Sequence, residues 1–278
     1  MRNLNTISND GGVYKTEDGG YSWSQLDLYS GFTPCDIIFY DDSYGVIIGV
    51  NELNKSMILL TYDGGQTWET KSFEANLSVI FLLDKQLGYA LGDKLYKTTD
   101  SGQTWTEIDL GFNNYYGINF FDKNTGLITA DNSILKTIDG GNHWNTIKTI
   151  ETGSILKSIH VFDNVAMIVT NGSDYYKSTD RGQKWASIET PTMNSVHIIN
   201  KDQIIGVGQY WYSLGYYSYG VFYLTNDGGF SWEEKLLTEI SENFYSLTDI
   251  AYVNDSIAFA VGHTKTGSIA RFKLKMNN

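Results

Sequence analysis

Six times in 278 residues the chain spells Ser/Thr, any residue, Asp, any residue, Gly, two residues, Trp. The copies run from Thr16 to Trp23, Thr61 to Trp68, Thr98 to Trp105, Thr137 to Trp144, Ser178 to Trp185 and Thr225 to Trp232. Self-similarity of this density restricts the chain to a repeat architecture, in which one supersecondary unit is copied and stacked. Each copy follows a short apolar run, such as Ile58-Leu59-Leu60 or Ile134-Leu135, and leads into a second extended run that opens at the Trp. That pattern predicts a β-hairpin whose turn is the motif itself.

The residue types suit such a turn. An Asp carboxylate accepts backbone N–H groups of its own turn, and Gly supplies the positive φ that a tight turn requires. The Ser/Thr hydroxyl ties the turn internally, and the Trp offers a large apolar face to the next hairpin. Asp18, Asp63, Asp100, Asp139, Asp180 and Asp227, with Trp23, Trp68, Trp105, Trp144, Trp185 and Trp232, are therefore read as structural residues. Metal sites at these turns would need several oxygen ligands converging on each, and none is expected.

The motif resembles the Asp-box, or bacterial neuraminidase repeat. Its wider unit sharpens the likeness. Ser78-Val79-Ile80-Phe81-Leu82-Leu83-Asp84, then Leu87-Gly88-Tyr89-Ala90-Leu91-Gly92, then Leu95-Tyr96-Lys97-Thr98 precede one box. Tyr116 to Asp122, Thr125 to Ile128 and Ile134 to Thr137 precede the next in the same order. This arrangement is similar to the photosystem II assembly-factor type of Asp-box propeller and its non-photosynthetic bacterial relatives. The resemblance implies an all-β fold and a scaffold role, and it implies export, because relatives of this type are mostly exported or lumenal.

Counting strands sets the expected blade number. Residues 36–73 hold four short strands, the size of one propeller blade, and the later units repeat them. The first box lacks the two strands that precede each later one. After the last box, residues 247–253, 256–261 and 268–274 supply three strands with no box behind them. First strands near residues 36, 78, 117, 157, 195 and 247 predict a six-bladed β-propeller of four-stranded antiparallel blades with Asp-box hairpins. It would be a single domain over residues 1–278, its closing blade shared between residues 1–28 and 247–275, so that no sheet edge is left free. Residues 13–16 and 268–274 both claim the third-strand place, which leaves seven blades with incomplete terminal blades as the alternative.

Composition narrows the partners. The net charge is −12 and the basic residues are scattered, so the counterion-releasing footprint that nucleic acid needs is missing. An anionic membrane surface is disfavoured by the same sign, and no stretch approaches a membrane span. Cys35 is the lone cysteine, which excludes an internal disulfide and a four-thiolate metal site. The N-terminus, Met1 to Ile7, has no apolar signal core. The expectation is an exported monomer whose leader is absent from this chain, or else a cytoplasmic protein.

The candidate site is aromatic. Between Val207 and Val221 the chain reads Gly208-Gln209-Tyr210-Trp211-Tyr212-Ser213-Leu214-Gly215-Tyr216-Tyr217-Ser218-Tyr219-Gly220, with no charge in the run. The resemblance places this strand-two-to-three loop on the face opposite the boxes, where loops between blades add Tyr29, Phe32, Phe112, Tyr115, Tyr116, Phe244 and Tyr245. Exposed Tyr and Trp favour recognition because they combine rigid apolar area with a polar handle. The competing reading has residues 209–219 extending a hairpin and burying their own rings in the channel mouth. The expected ligand face comprises Tyr210, Trp211, Tyr212, Tyr216, Tyr217, Tyr219, Tyr115, Tyr116 and Tyr245, recognising a protein or peptide, with a lectin-like carbohydrate module as the alternative.

A glycoside hydrolase is the third and least favoured reading. Sialidases grip a carboxylate with three convergent arginines, whereas this chain has only Arg2, Arg181 and Arg271, with Arg181 inside a box. No carboxylate pair of the glycosidase kind stands out, and Asp84, Asp122 and Asp163 recur as turn residues after first strands. His160 and His197 lie in adjacent first strands and can approach each other, but no third donor completes a metal site. No cofactor is expected.

Overall fold

The computed structural model describes residues 6–7, 12–28, 30–150, 154–172, 174–189, 191–211, 218–236, 246–254, 257–263 and 268–273. All described elements are strands, in two compact units, Met1–Tyr116 and Gly117–Asn278. No helix among the described residues is long and apolar enough to cross a membrane.

The first unit opens with β1 (Thr6–Ile7), β2 (Val13–Lys15) and β3 (Ser24–Leu26), a three-stranded sheet in chain order. Then come β4 (Thr33–Phe39), β5 (Gly45–Val50), β6 (Ser56–Thr61) and β7 (Glu69–Ser72) in one sheet. A second four-stranded sheet holds β8 (Leu77–Leu82), β9 (Gly88–Gly92), β10 (Leu95–Thr98) and β11 (Thr106–Ile108).

The second unit, opening at the boundary, contains β12 (Tyr115–Phe120), β13 (Gly126–Ala130), β14 (Ser133–Thr137) and β15 (Asn145–Thr149). Next are β16 (Leu156–Phe162), β17 (Val165–Thr170), β18 (Asp174–Ser178) and β19 (Ala186–Glu189), then β20 (Met193–Ile198), β21 (Ile204–Trp211), β22 (Ser218–Thr225) and β23 (Glu233–Leu236). A three-stranded sheet of β24 (Ser246–Asn254), β25 (Ile257–His263) and β26 (Ser268–Lys273) closes the order.

The blade count is corrected. Five four-stranded antiparallel blades are present, making a five-bladed propeller rather than the six blades expected or the seven of the alternative. The terminal strands lie in two separate three-stranded sheets and do not merge into a closing blade. The physical reason lies in the pairing. β2 and β26 both occupy the third-strand place, and β1 pairs Thr6 with Tyr14 and Ile7 with Val13, taking the edge of β2 that a shared blade would need.

Burial follows strand position. Each residue of β6 and β17 is buried, whereas β7 and β19 are largely exposed. Inner strands are covered on both faces by neighbouring sheets, so they read as continuous apolar runs such as Met57-Ile58-Leu59-Leu60. The clusters lie between consecutive sheets: Ile38, Val46, Ile58 and Leu60 of one pack with Leu77, Ile80 and Ala90 of the next. Val165, Met167 and Tyr175 meet Val196, Ile204 and Tyr223 in the same way in the second unit.

The box turns form as their chemistry predicts. In all six, the Ser/Thr hydroxyl donates to the Asp Oδ1 at 2.7–2.9 Å. The Ser/Thr hydroxyl oxygen in turn accepts the N–H of the motif Gly at 2.7–2.9 Å. Oδ1 of each Asp also takes the N–H of the residue before the Trp at 2.8–3.0 Å. Motif glycines have φ between 76 and 95°, and the residue before each is also left-handed, including Ser101 and Arg181. Two successive positive φ values match the primed hairpin turn, which explains the Gly-Gly pairs in four boxes.

The hydrogen bonds hold the carboxylates ionised. The Thr67 and Thr104 hydroxyls, with backbone donors, lower Asp63 and Asp100 to about 2. Ser22 and Ser231 hydroxyls do the same for Asp18 and Asp227, and the His143 N–H leads for Asp139 and that of Lys184 for Asp180. The box tryptophans are half-buried rather than engulfed. Trp105 and Trp185 donate Nε1–H to the carbonyls of Gly102 and Gly182 at 3.1 and 3.2 Å.

Candidate functional site

Antiparallel order sorts each blade's connections by end. The turn between strands two and three lies at one end with the entry into strand one, and the box turn between strands three and four lies at the other. The described ends of the aromatic run, Tyr210–Trp211 and Ser218–Tyr219, therefore lie at the end opposite the box of their own blade. β21 and β22 are eight residues each and pair from Ile204↔Thr225 to Trp211↔Ser218. β20 pairs β21 only as far as Met193↔Gly208, so Gln209, Tyr210 and Trp211 continue the hairpin beyond their neighbour strand.

Tyr210 stands opposite Tyr219, and Trp211 opposite Ser218. Tyr219 and Tyr116 are half-buried. Tyr115 is buried, at 2% exposure, and packs edge-on against Phe112 with centroids 6.3 Å apart. Phe32 is buried too. Tyr29, Tyr212, Tyr216, Tyr217, Phe244 and Tyr245 lie outside the described residues.

The same end carries a device that the sequence reading missed. Five first strands shift register just inside their start, leaving Cys35, Ser78, Lys157, Asn194 and Thr248 as bulged residues. A bulge turns extra backbone out of the ladder and re-aims side chains. In the second unit the bulges link consecutive sheets: Lys157 Nζ donates to Asn194 Oδ1 at 3.4 Å, and Asn194 Nδ2 donates to the Leu247 carbonyl at 2.7 Å. The available signal was a polar or small residue recurring one or two places before the Ile/Val of each first strand.

At four of these five bulges a backbone carbonyl at the start of the first strand lies against a glycine of the second strand, Gly49, Gly92, Gly208 or Gly262, while Thr170 holds that place in the fifth. A Cβ on Gly92 would lie 1.9 Å from the Asn76 oxygen, and one on Gly262 would lie 2.0 Å from the Ser246 oxygen. Close approach of backbone explains the apolar-Gly ending of these strands.

Further along the first strands, side chains bridge to the next sheet. Asp36 Oδ2 accepts the Ile80 N–H at 2.9 Å, and Ser195 Oγ donates to Asp249 Oδ1 at 2.7 Å. His160 and His197 do come together, with centroids 4.3 Å apart, and His160 Nδ1 accepts the Ile198 N–H at 3.2 Å. Among the described residues no three His, Cys, Asp or Glu side chains gather as a metal set. Arg181 pairs with Asp122 and lies over Phe121, while Asp84 and Asp122 accept the N–H groups of their own turns at 2.7–2.8 Å. Asp163 sits at φ 53° in the equivalent turn.

A family model described as photosynthesis system II assembly factor YCF48 matches residues 21–113. The photosystem II assembly lipoprotein Ycf48 of Synechococcus sp. (strain CC9902) is 32% identical over 144 residues, covering 48% of this chain and 42% of that protein. The chain thus spans less than half the length of that curated relative. Among solved structures, YCF48 bound to D1 peptide superposes with a TM-score of 0.58 at 18% identity, covering 92% of this chain and 96% of that one. The GH74 enzyme of Niastella koreensis gives 0.68 at 14% identity, over 94% of this chain and 56% of that one. At such identities the structural likeness speaks for fold alone. In sequence around its first three boxes, and in fold over most of its length, the chain is similar to the photosystem II assembly-factor type of Asp-box propeller.

Proposed function

We propose that the chain is a non-enzymatic binding propeller, acting as one domain over residues 1–278, that holds a segment of a protein partner on the end of its blades opposite the boxes. The observation that carries this reading is the β21–β22 hairpin, which outgrows β20 and bears the uncharged, Tyr- and Trp-rich run. Aromatic residues on a rigid paired ladder bring contact area at low entropic cost. Tyr210, Trp211, Tyr212, Tyr216, Tyr217 and Tyr219 are the proposed contact residues, and Tyr116 and Tyr245 belong to the same proposed set. Tyr115, whose ring is buried against Phe112, is left out of the contact set.

The relatives lend support of a coarser kind. One protein of the same fold is solved with a D1 peptide bound, and the Synechococcus relative is named an assembly lipoprotein. By that likeness the chain works as an exported protein and takes a peptide. The resemblance implies a basic, arginine-rich patch on relatives of the assembly-factor type, and with three arginines in a chain of net charge −12 nothing comparable is visible here, so the photosystem partner is not part of the proposal.

The test is capture of peptides and glycans on arrays by the purified chain beside its Trp211→Ala variant. Peptide binding that falls at least about tenfold in the variant, with the melting temperature held, is the expected result for an aromatic anchor. Binding confined to glycans would replace the peptide reading with a lectin-like one. Unfolding of the variant would make the hairpin part of the core and remove the site.

A further inference from the structure

The first strand of each blade is an outer member of its sheet, so every second N–H group along it points away from the ladder and needs an acceptor elsewhere. Side chains supply several of these acceptors. Asp36 takes the N–H groups of Ile37 and Ile80, Asn119 that of Phe120, and Asp249 that of Ile250. Carboxylate and amide oxygens remain acceptors in mild acid. At Ile198 the acceptor is an imidazole instead. This residue is 1% exposed, and its N–H reaches Nδ1 of His160, on the first strand of the preceding sheet, at 3.2 Å.

A ring nitrogen accepts only through its lone pair, so His160 carries its proton on Nε2 and is uncharged. The ring of His197 lies against it, with centroids 4.3 Å apart and planes inclined by 45°, and both residues are half-buried. A second proton on His160 has only Nδ1 to occupy. There it would face the Ile198 N–H, donor against donor, and would set an imidazolium beside another titrating ring. An unperturbed imidazole takes up its proton at about pH 6.5, which places this conflict within reach of mild acid.

The strands packed against β16 and β20 are β12, β13, β17, β21 and β24. Besides the two histidines, all these strands together carry Lys157, Asp249, Tyr115, Tyr116, Tyr210 and Tyr252 as their ionisable residues. Lys157 Nζ reaches Asn194 Oδ1 at 3.4 Å, and Asp249 takes the Ser195 hydroxyl at 2.7 Å and the Ile250 N–H at 2.8 Å. The turns that close the two first hairpins add Asp163, Lys201 and Asp202, the last two paired at 3.3 Å. None of these groups can relieve the conflict at Nδ1 while the seam is closed, because the Ile198 N–H fills that direction.

We propose that His160 and His197 form an acid-sensitive latch between the sheets that begin with β16 and β20. Uncharged His160 closes the seam on the Ile198 N–H at neutral pH, and proton uptake at Nδ1 opens it. The bond is therefore present above the pH of uptake and is lost as pH falls through it. The latch lies in the sheet that carries the aromatic hairpin, and it stands whatever that hairpin binds.

The experiment uses the full chain and two readouts. Long-range nitrogen–proton NMR at about pH 7.5 should show His160 with its proton on Nε2, and a proton on Nδ1 would overturn the proposal. Between about pH 7.5 and about pH 5, protection of the Ile198 amide, corrected for intrinsic exchange, should fall about tenfold or more. Ile80, held by Asp36, and Ile199, bonded to the Gln203 carbonyl at 3.0 Å, should keep their protection. His160→Asn sets a non-titrating amide oxygen near the place of Nδ1 and should abolish the fall at Ile198. Equal protection of Ile198 at both pH values, an undiminished fall in the Asn variant, or a parallel loss at Ile80 and Ile199 would each overturn the latch. If the variant does not fold, the tautomer and the comparison of Ile198 with Ile199 in the unaltered chain still decide.

Discussion

Removing one buried hydroxyl tests the physical account of the box turns. Thr98 is 1% exposed, and its Oγ1 joins three groups of one turn. It donates to Asp100 Oδ1 at 2.8 Å and accepts the N–H of Gly102 at 2.9 Å and of Asp100 at 3.3 Å. Thr98→Val keeps the shape and deletes all three bonds. The Gly102 N–H is buried and has no water to turn to, so stranding it costs about 1–3 kcal/mol. Asp100 is half-buried and keeps the Thr104 N–H and hydroxyl, at 2.8 and 2.6 Å, so losing the Thr98 bond adds at most about 1 kcal/mol.

The sum is about 1–4 kcal/mol, or a melting-temperature drop of roughly 2–16 °C at about 2–4 °C per kcal/mol. Urea unfolding followed by tryptophan fluorescence should show a lower midpoint with an unchanged slope. Thr104→Val is the control: its hydroxyl bonds the other carboxylate oxygen in solvent, and its loss should cost about 1 kcal/mol or less. A Thr98→Val protein within about 0.5 kcal/mol of the parent, or a control that costs as much, would refute the reasoning.

Gly92→Ala should destabilise by about 3 kcal/mol or more, because the added Cβ meets a backbone oxygen at 1.9 Å; a melting scan near that of the parent would contradict the close approach. Trp105→Ala should cost about 2–4 kcal/mol, since the ring is half-buried on the Phe73–Tyr96 edge of its cluster, and chemical denaturation reads it directly. Acid should unfold the protein through its boxes. The folded carboxylates titrate below the unfolded value near 3.8, so their contribution is complete above that pH and is lost as pH falls toward about 2. A melting temperature that drops between pH 7 and 5 and stays level below would assign acid sensitivity to other groups.

Local chemistry made the boxes legible. Thr98, Asp100, Gly102 and Thr104 bond one another within a seven-residue span, so their geometry is written in short-range sequence. The left-handed residue before each motif Gly was less visible, because Ser101 and Arg181 occupy it where the other boxes have Gly. The bulges escaped notice because the polar or small residues at Cys35, Ser78, Lys157, Asn194 and Thr248 share no single residue type, only a register. At the candidate site the hairpin was foreseen as a possibility and is present as a ladder. Tyr115, chosen for the same face, points into packing with Phe112.

Sequence alone determined the strands, the hairpin turns and the order of elements within a blade, since each depends on residues close along the chain. The tertiary structure decided how many blades those strands make. β2 and β26 are equivalent by sequence, and the ladders settle that each keeps its own sheet, β2 beside β1 and β26 beside β25. It also decided that His160 and His197 meet, and that Gly92 and Gly262 must stay bare. Contacts between strands are non-local, and a repeat that writes every strand alike does not say which of them will share an edge.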